Sequence, residues 1–96
     1  MAKPTKLEPK QITERLATIT GWTLNGNDQL TKSFKFENFV GAMGFANKIT
    51  PLAESAGHHP DLFVKYGEVR VYLSTHDVGG ISDSDFALAT AIDKIV

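Results

Sequence analysis

The chain has 96 residues, 42% hydrophobic and 22% charged, with ten basic and eleven acidic side chains and a formal net charge of -1. That is the composition and length of one globular domain, without the excess of Lys and Arg that holds a protein to nucleic acid or a membrane surface. Cysteine is absent, which excludes disulfides, thiolate nucleophiles and Cys-based zinc or iron–sulfur sites and favours a reducing, cytoplasmic setting.

Met1 to Lys10 carries three lysines, two prolines and no apolar run. It resembles neither a signal peptide nor a membrane helix. Residues 1–9 are read as a loose leader ahead of a single domain spanning 10–96. From Lys10 to Thr20, Ile12, Leu16 and Ile19 form one apolar stripe, and Gly21 is expected to end this first helix. Trp22 to Asn25, the turn-rich Gly26-Asn27-Asp28, and Gln29 to Phe36 then read as a hairpin. In it Leu30, Phe34 and Phe36 share one parity, and Lys32 breaks the pattern as a residue near an edge does.

Asn38 can cap a second helix carrying Phe39, Val40, Met43, Ala46, Ile49 and Ala53. Pro51 within it predicts either a kink or a break near Thr50, because proline removes a backbone donor. Leu62 to Tyr66, a turn at Gly67-Glu68, and Val69 to Thr75 make a second hairpin with period-two alternation. Ser82 caps a last helix whose first turn holds Asp83 and Asp85, favoured there by the helix dipole, and whose expected buried face is Leu88, Ala91, Ile92 and Ile95. The order α-ββ-α-ββ-α predicts an α+β fold: a four-stranded antiparallel sheet with helices packed on one face. Lys35, Arg70 and Tyr72 belong to the other face.

The candidate chemistry lies in two loops. His58 and His59 follow the second helix, with Glu54 one turn upstream, and His76 lies between Ser74-Thr75 and Asp77. Histidine is the side chain that both donates and accepts protons near neutral pH, and loops on a rigid scaffold are its usual functional setting. Read from the residues alone, these histidines serve equally as ordinary surface side chains. A metal site drawing on Glu54, Asp61 or Asp77 is a weaker reading, because adjacent histidines chelate poorly and the helical H-E-x-x-H spacing is absent. Phe34-Lys35-Phe36 lacks the glycine-rich surround of RNA-binding sheets, and Gly79-Gly80 lacks the lysine of a phosphate loop.

Glu54-xxx-His58-His59-Pro60-Asp61 and Ser74-Thr75-His76-Asp77 resemble the corresponding segments of the pterin-4a-carbinolamine dehydratases. The resemblance extends from Gly21-Trp22 to the C-terminus through Phe34 to Phe39, Ala42 to Phe45, and Gly80 to Ala89. It implies dehydration of a 4a-hydroxytetrahydropterin to the quinonoid dihydropterin, with no cofactor and no metal, recycling the pterin used by aromatic amino acid hydroxylases. By this likeness His58 and His76 are the acid–base pair and His59 orients the pterin. Glu54, Gly57, Ser74, Thr75, His76 and Asp77 complete the substrate site around His58 and His59. A homodimer or homotetramer is implied as well, and some relatives of this kind serve as dimerisation adaptors for a transcription factor. Leu62 stands where the family usually carries an aromatic; it either lines the pterin pocket or, as the first residue of a strand, packs in the core, and the core is the preferred expectation.

Overall fold

The computed structural model describes residues 4–96. Met1 to Lys3, part of the expected leader, lie outside the described residues. The elements are α1 (Pro9–Leu16), β1 (Thr23–Leu24), β2 (Leu30–Lys35), α2 (Phe39–Ala56), β3 (Asp61–Lys65), β4 (Glu68–Leu73), a 3-10 turn (His76–Val78) and α3 (Asp83–Asp93). All strand pairs are antiparallel and the sheet order is β1-β2-β4-β3. This is the α+β architecture expected from the sequence.

Strand parity builds the core. Leu30 faces Leu73 and Phe34 faces Val69 across β2 and β4, while Leu62 and Val64 pair with Val71 and Val69 across β3 and β4. Leu30, Val69, Val71 and Leu73 are fully buried against Phe45 and Ile49 of α2 and Phe86, Leu88, Ala89 and Ile92 of α3. Burying each large apolar side chain contributes ~1.5–3 kcal/mol, offset by the entropy of ordering the chain. Phe45 sits 4.8 Å from Phe34 and 5.1 Å from Phe36, ring centre to ring centre, which ties α2 to β2.

Several elements differ from the sequence reading. Within the stretch read as a leader, Leu7 is buried and its N–H donates to the Ile81 carbonyl at 2.8 Å. Helix α1 stops at Leu16, before Gly21, because Thr18, Ile19 and Thr20 are poor helix formers. The Thr18 hydroxyl instead donates to the Arg15 carbonyl at 2.7 Å. The second hairpin turns at Tyr66-Gly67, where Gly67 takes φ +75°, and Glu68 already belongs to β4.

Helix α2 runs unbroken through Pro51. Pro51 and Asn47, whose carbonyl loses its partner, are both exposed, so water can satisfy the freed group. The buried stripe of α2 is Ala42, Phe45, Ala46, Ile49 and Ala53, leaving Phe39, Val40 and Met43 49%, 80% and 37% exposed. The helix is apolar nearly all round at its start, so periodicity did not select the inward face. On α3 the inward positions are Asp85, Phe86, Leu88, Ala89 and Ile92, with Ala91 and Ile95 only half-buried.

Lys32 lies just past the two residues of β2 that β1 covers, and its parity is that of Leu30 and Phe34. Its side chain crosses the end of the core, 4.9 Å from the centre of the Phe34 ring, and donates to Asp93 Oδ1 at 2.8 Å and to the Thr20 carbonyl at 2.9 Å. Asp93 Oδ2 accepts from the indole N–H of Trp22 at 3.0 Å. A cation is tolerated at this apolar-parity position because the C-terminal turn of α3 supplies its counter-charge.

On the opposite sheet face, Glu68 is buried beneath Ser33, Lys35, Lys65 and Arg70. The Ser33 hydroxyl and, after it, Arg70 and Lys65 hold its carboxyl down from the ordinary 4.5 to about 2, against the opposing effect of burial. A carboxyl lowered on folding contributes stability that is complete above its unfolded value and disappears as pH falls through its folded one. Stability should therefore decline between pH 4.5 and about 2, and Glu68→Gln should flatten that part of the curve in chemical denaturation run at each pH. An unchanged slope in Glu68→Gln would count against the network.

Candidate active site

Two chain reversals bring the histidines together. Gly57 ends α2 at φ +62°, a left-handed position suited to glycine, and the His58 N–H returns to the Ala53 carbonyl at 3.1 Å. That closure turns His58-His59-Pro60 back toward the sheet, where β3 begins. At the end of β4, Thr75 N–H donates to the Gly80 carbonyl at 2.7 Å, and the enclosed 3-10 turn carries His76 and Asp77. Gly79, at φ +66°, closes that turn.

Gly57, His58, His59, Ser74, Thr75, His76 and Asp77 line an open cleft of about 320 Å³. An adjoining hollow of about 170 Å³ is lined by Ile49, Thr50, Ala53, Glu54, His59, Pro60 and Leu62. His59 borders both, so they form one groove with a polar and a more apolar end. The structure thus gathers every residue that the sequence reading singled out for catalysis or substrate binding. Asp61, weighed as a metal ligand, lines neither hollow. Among the described residues no group of three or more His, Asp or Glu is arranged to hold a metal.

The three imidazoles have different surroundings. His58 is mostly buried, and its Nε2 lies 2.5 Å from Asp85 Oδ1. His59 is exposed, with Nε2 2.6 Å from Glu54 Oε2. His76 is exposed, and its ring makes no hydrogen bond among the described residues. The Thr75 hydroxyl turns inward, to Ser82 and Asp85.

Asp85 is the residue sequence reasoning passed over for the site, taking it only as a first-turn anion favoured by the dipole of α3. It is fully buried. Its Oδ2 accepts from Thr75 Oγ1 at 2.7 Å and from the Ser82 N–H at 2.9 Å, the latter completing a capping box with Ser82. A signal was present: Asp85 precedes Leu88, Ala89 and Ile92 by three, four and seven residues, which places a carboxylate on the apolar stripe. A buried carboxylate needs partners, and a histidine is a common one.

The family profile for Pterin 4 alpha carbinolamine dehydratase matches residues 5–95. The chain belongs to the pterin-4a-carbinolamine dehydratase family. A relative from Chloroflexus aggregans, named "Putative pterin-4-alpha-carbinolamine dehydratase", is 45% identical over 91 residues, covering 95% of this chain and 97% of that protein. One from Sulfolobus acidocaldarius with the same name is 47% identical over 90 residues, 94% of this chain and 98% of that protein. A crystal structure from Brucella melitensis, described as a transcriptional coactivator/pterin dehydratase, superposes with TM-score 0.89 at 34% identity over 95% of this chain and 98% of its own. A pterin dehydratase-like protein described as a RuBisCO assembly factor in the alpha-carboxysome shares the fold, with TM-score 0.65 at 23% identity over 78% of this chain and 88% of its own.

Leu62 is 38% exposed at the apolar end of the groove. The expectation that it packs in the core fails because β3 is an edge strand, covered on this side only by the C-terminal half of α2. Leu62→Ala should consequently cost below about 1 kcal/mol, whereas Ile49→Ala, one helix away and fully buried, should cost about 2–5 kcal/mol. Urea titration of the two variants measures the contrast. Equal losses would return Leu62 to the core.

Proposed function

We propose that this chain dehydrates a 4a-hydroxytetrahydropterin to the quinonoid dihydropterin by histidine acid–base catalysis. The observation that carries the reading is the convergence of His58, His59 and His76 on one groove, two of them backed by carboxylates, in a chain of the dehydratase family. The reaction needs a proton removed from N5 and a proton delivered to the hydroxyl on C4a. The N–H electron pair becomes the N5=C4a double bond, the C–O pair leaves with oxygen, and the oxygen departs as water. No electron is exchanged with a cofactor. Two imidazoles, His58 and His76, suit the two transfers, and positioned acid–base groups of this kind are worth ~10²–10⁴-fold. His59, held by Glu54, suits orientation of the ring, and the backbone of Gly57 and Ser74 to Asp77 offers it hydrogen bonds. The pterin returned in this way is that consumed by aromatic amino acid hydroxylases, in the cytoplasm. Among the described residues no helix is long and apolar enough to cross a membrane.

The same reading includes a second copy of the chain. Strand β3 is a sheet edge that exposes Leu62 and Phe63, and an exposed apolar edge is a template for pairing. A homodimer is expected in sedimentation at micromolar concentration, with a tetramer if the apolar outer face of α2 is used as well. That face, with Phe39, Val40 and Met43, also favours a second reading, a non-catalytic adaptor that binds another protein. The two are separated by the histidines, which an adaptor does not require.

His58→Ala and His76→Ala should each lower kcat/KM by about tenfold or more, and the double variant should approach the uncatalysed rate. The assay follows decay of carbinolamine absorbance in a coupled hydroxylase reaction, with circular dichroism to confirm folding. A folded double variant retaining near wild-type dehydratase activity would overturn the mechanism.

A further inference from the structure

A run of buried hydrogen bonds leads from the first turn of α3 to the cleft. The Ser84 N–H donates to Ser82 Oγ at 3.2 Å, Ser82 Oγ and Thr75 Oγ1 lie 2.6 Å apart, and Thr75 Oγ1 is 2.7 Å from Asp85 Oδ2. Thr75, Ser82 and Asp85 are 5%, 0% and 0% exposed, so solvent does not substitute for any link. The direction of the run follows from what each group can do. A backbone N–H only donates and a carboxylate only accepts. Thr75 therefore gives its single hydroxyl hydrogen to Asp85, which leaves the Ser82 hydroxyl as the donor to Thr75. The Ser82 N–H adds a second donor to the same oxygen.

The remaining oxygen, Oδ1, faces His58 Nε2 at 2.5 Å. Because the carboxylate accepts, that nitrogen must carry hydrogen. A neutral imidazole with its hydrogen on Nε2 has its lone pair on Nδ1, and Nδ1 of His58 has no hydrogen-bond partner among the described residues. His58 is also one of the residues that line the cleft.

We propose that Thr75 and Ser82 are positioning residues whose hydroxyls lock the Asp85 carboxylate and thereby hold His58 as the Nε2–H tautomer, with Nδ1 as the nitrogen that accepts the substrate's proton. Resting on the dehydratase reading, this divides the acid–base pair. His58 takes the N5 proton, the N–H pair forms the N5=C4a bond, and His76 protonates the oxygen that leaves C4a as water. Both hydroxyls are engaged with each other and with Asp85, so they act through the carboxylate.

The test uses the full chain labelled with 15N-histidine and no ligand. In the wild type the His58 nitrogens should report hydrogen on Nε2. Thr75→Val keeps the shape and removes the hydroxyl, so its spectrum should shift toward a mixture of tautomers. Its kcat should fall about tenfold while KM stays within about twofold, and Thr75→Ser should restore both. Thr31→Val is the control: Thr31 Oγ1 is buried with no partner among the described residues, and its loss should change neither spectrum nor kcat. If Thr75→Val does not fold, Ser82→Ala, which retains its N–H to Asp85, should show the same spectral shift. Hydrogen on Nδ1 in the wild type, or a folded Thr75→Val with wild-type spectrum and kcat, overturns the proposal. A wild-type chain inert toward the carbinolamine removes the base role together with the dehydratase reading, while the spectra decide the tautomer independently.

Discussion

A carboxylate with no solvent exposure is the constraint around which this end of the molecule is built. An uncompensated charge of that kind is too costly to bury, so Asp85 must be surrounded by donors. The chain supplies them from three places: Ser82 at the start of α3, Thr75 at the exit of β4, and His58 just past the end of α2. Each donor comes from a different element, so satisfying one buried group fixes how those elements meet. The loop bearing His76 hangs from the same point, since Thr75 also pairs with Gly80 to close it. Stability and site geometry are in this respect one arrangement.

The two carboxylate–histidine pairs illustrate how burial divides labour between similar groups. His59 and Glu54 meet in solvent, where an ion pair is screened and contributes little to stability. Their pairing restrains a ring at the junction between the polar and apolar ends of the groove. His58 and Asp85 meet inside, where few alternative partners exist and the geometry is dictated by the fold. The sheet face away from the groove follows another rule: Glu68 is shielded by side chains it attracts, and its lowered pKa reflects the Ser33 hydroxyl before the cations.

Family membership explains why so small a chain carries a site at all. At 96 residues the core is modest, and the groove is made from helix and strand ends, which costs the core almost nothing. The relatives named for transcriptional coactivation and for RuBisCO assembly retain the same scaffold. The outer face of α2 at Phe39, Val40 and Met43 is separate from the groove, so a scaffold of this kind can take a partner there without rebuilding its histidines.

Much of this was legible in the residues. Period-two alternation in β4, the glycine at 57, the caps at Asn38 and Ser82, and the histidine segments are local signals. They determined the α+β order and the loops in which the histidines sit, because backbone propensity and turn geometry act over a few neighbours. What lay beyond the sequence depended on contacts between distant elements. The order β1-β2-β4-β3 made β3 an edge and left Leu62 at the groove instead of in the core. Packing on the sheet selected Ala42, Phe45 and Ile49 over Val40 and Met43 as the inward stripe of a helix that offered both. Asp85 could be read as a helix-dipole anion until its 27-residue separation from His58 was closed in space. Only the tertiary structure brings those two groups together, and burial makes their pairing obligatory.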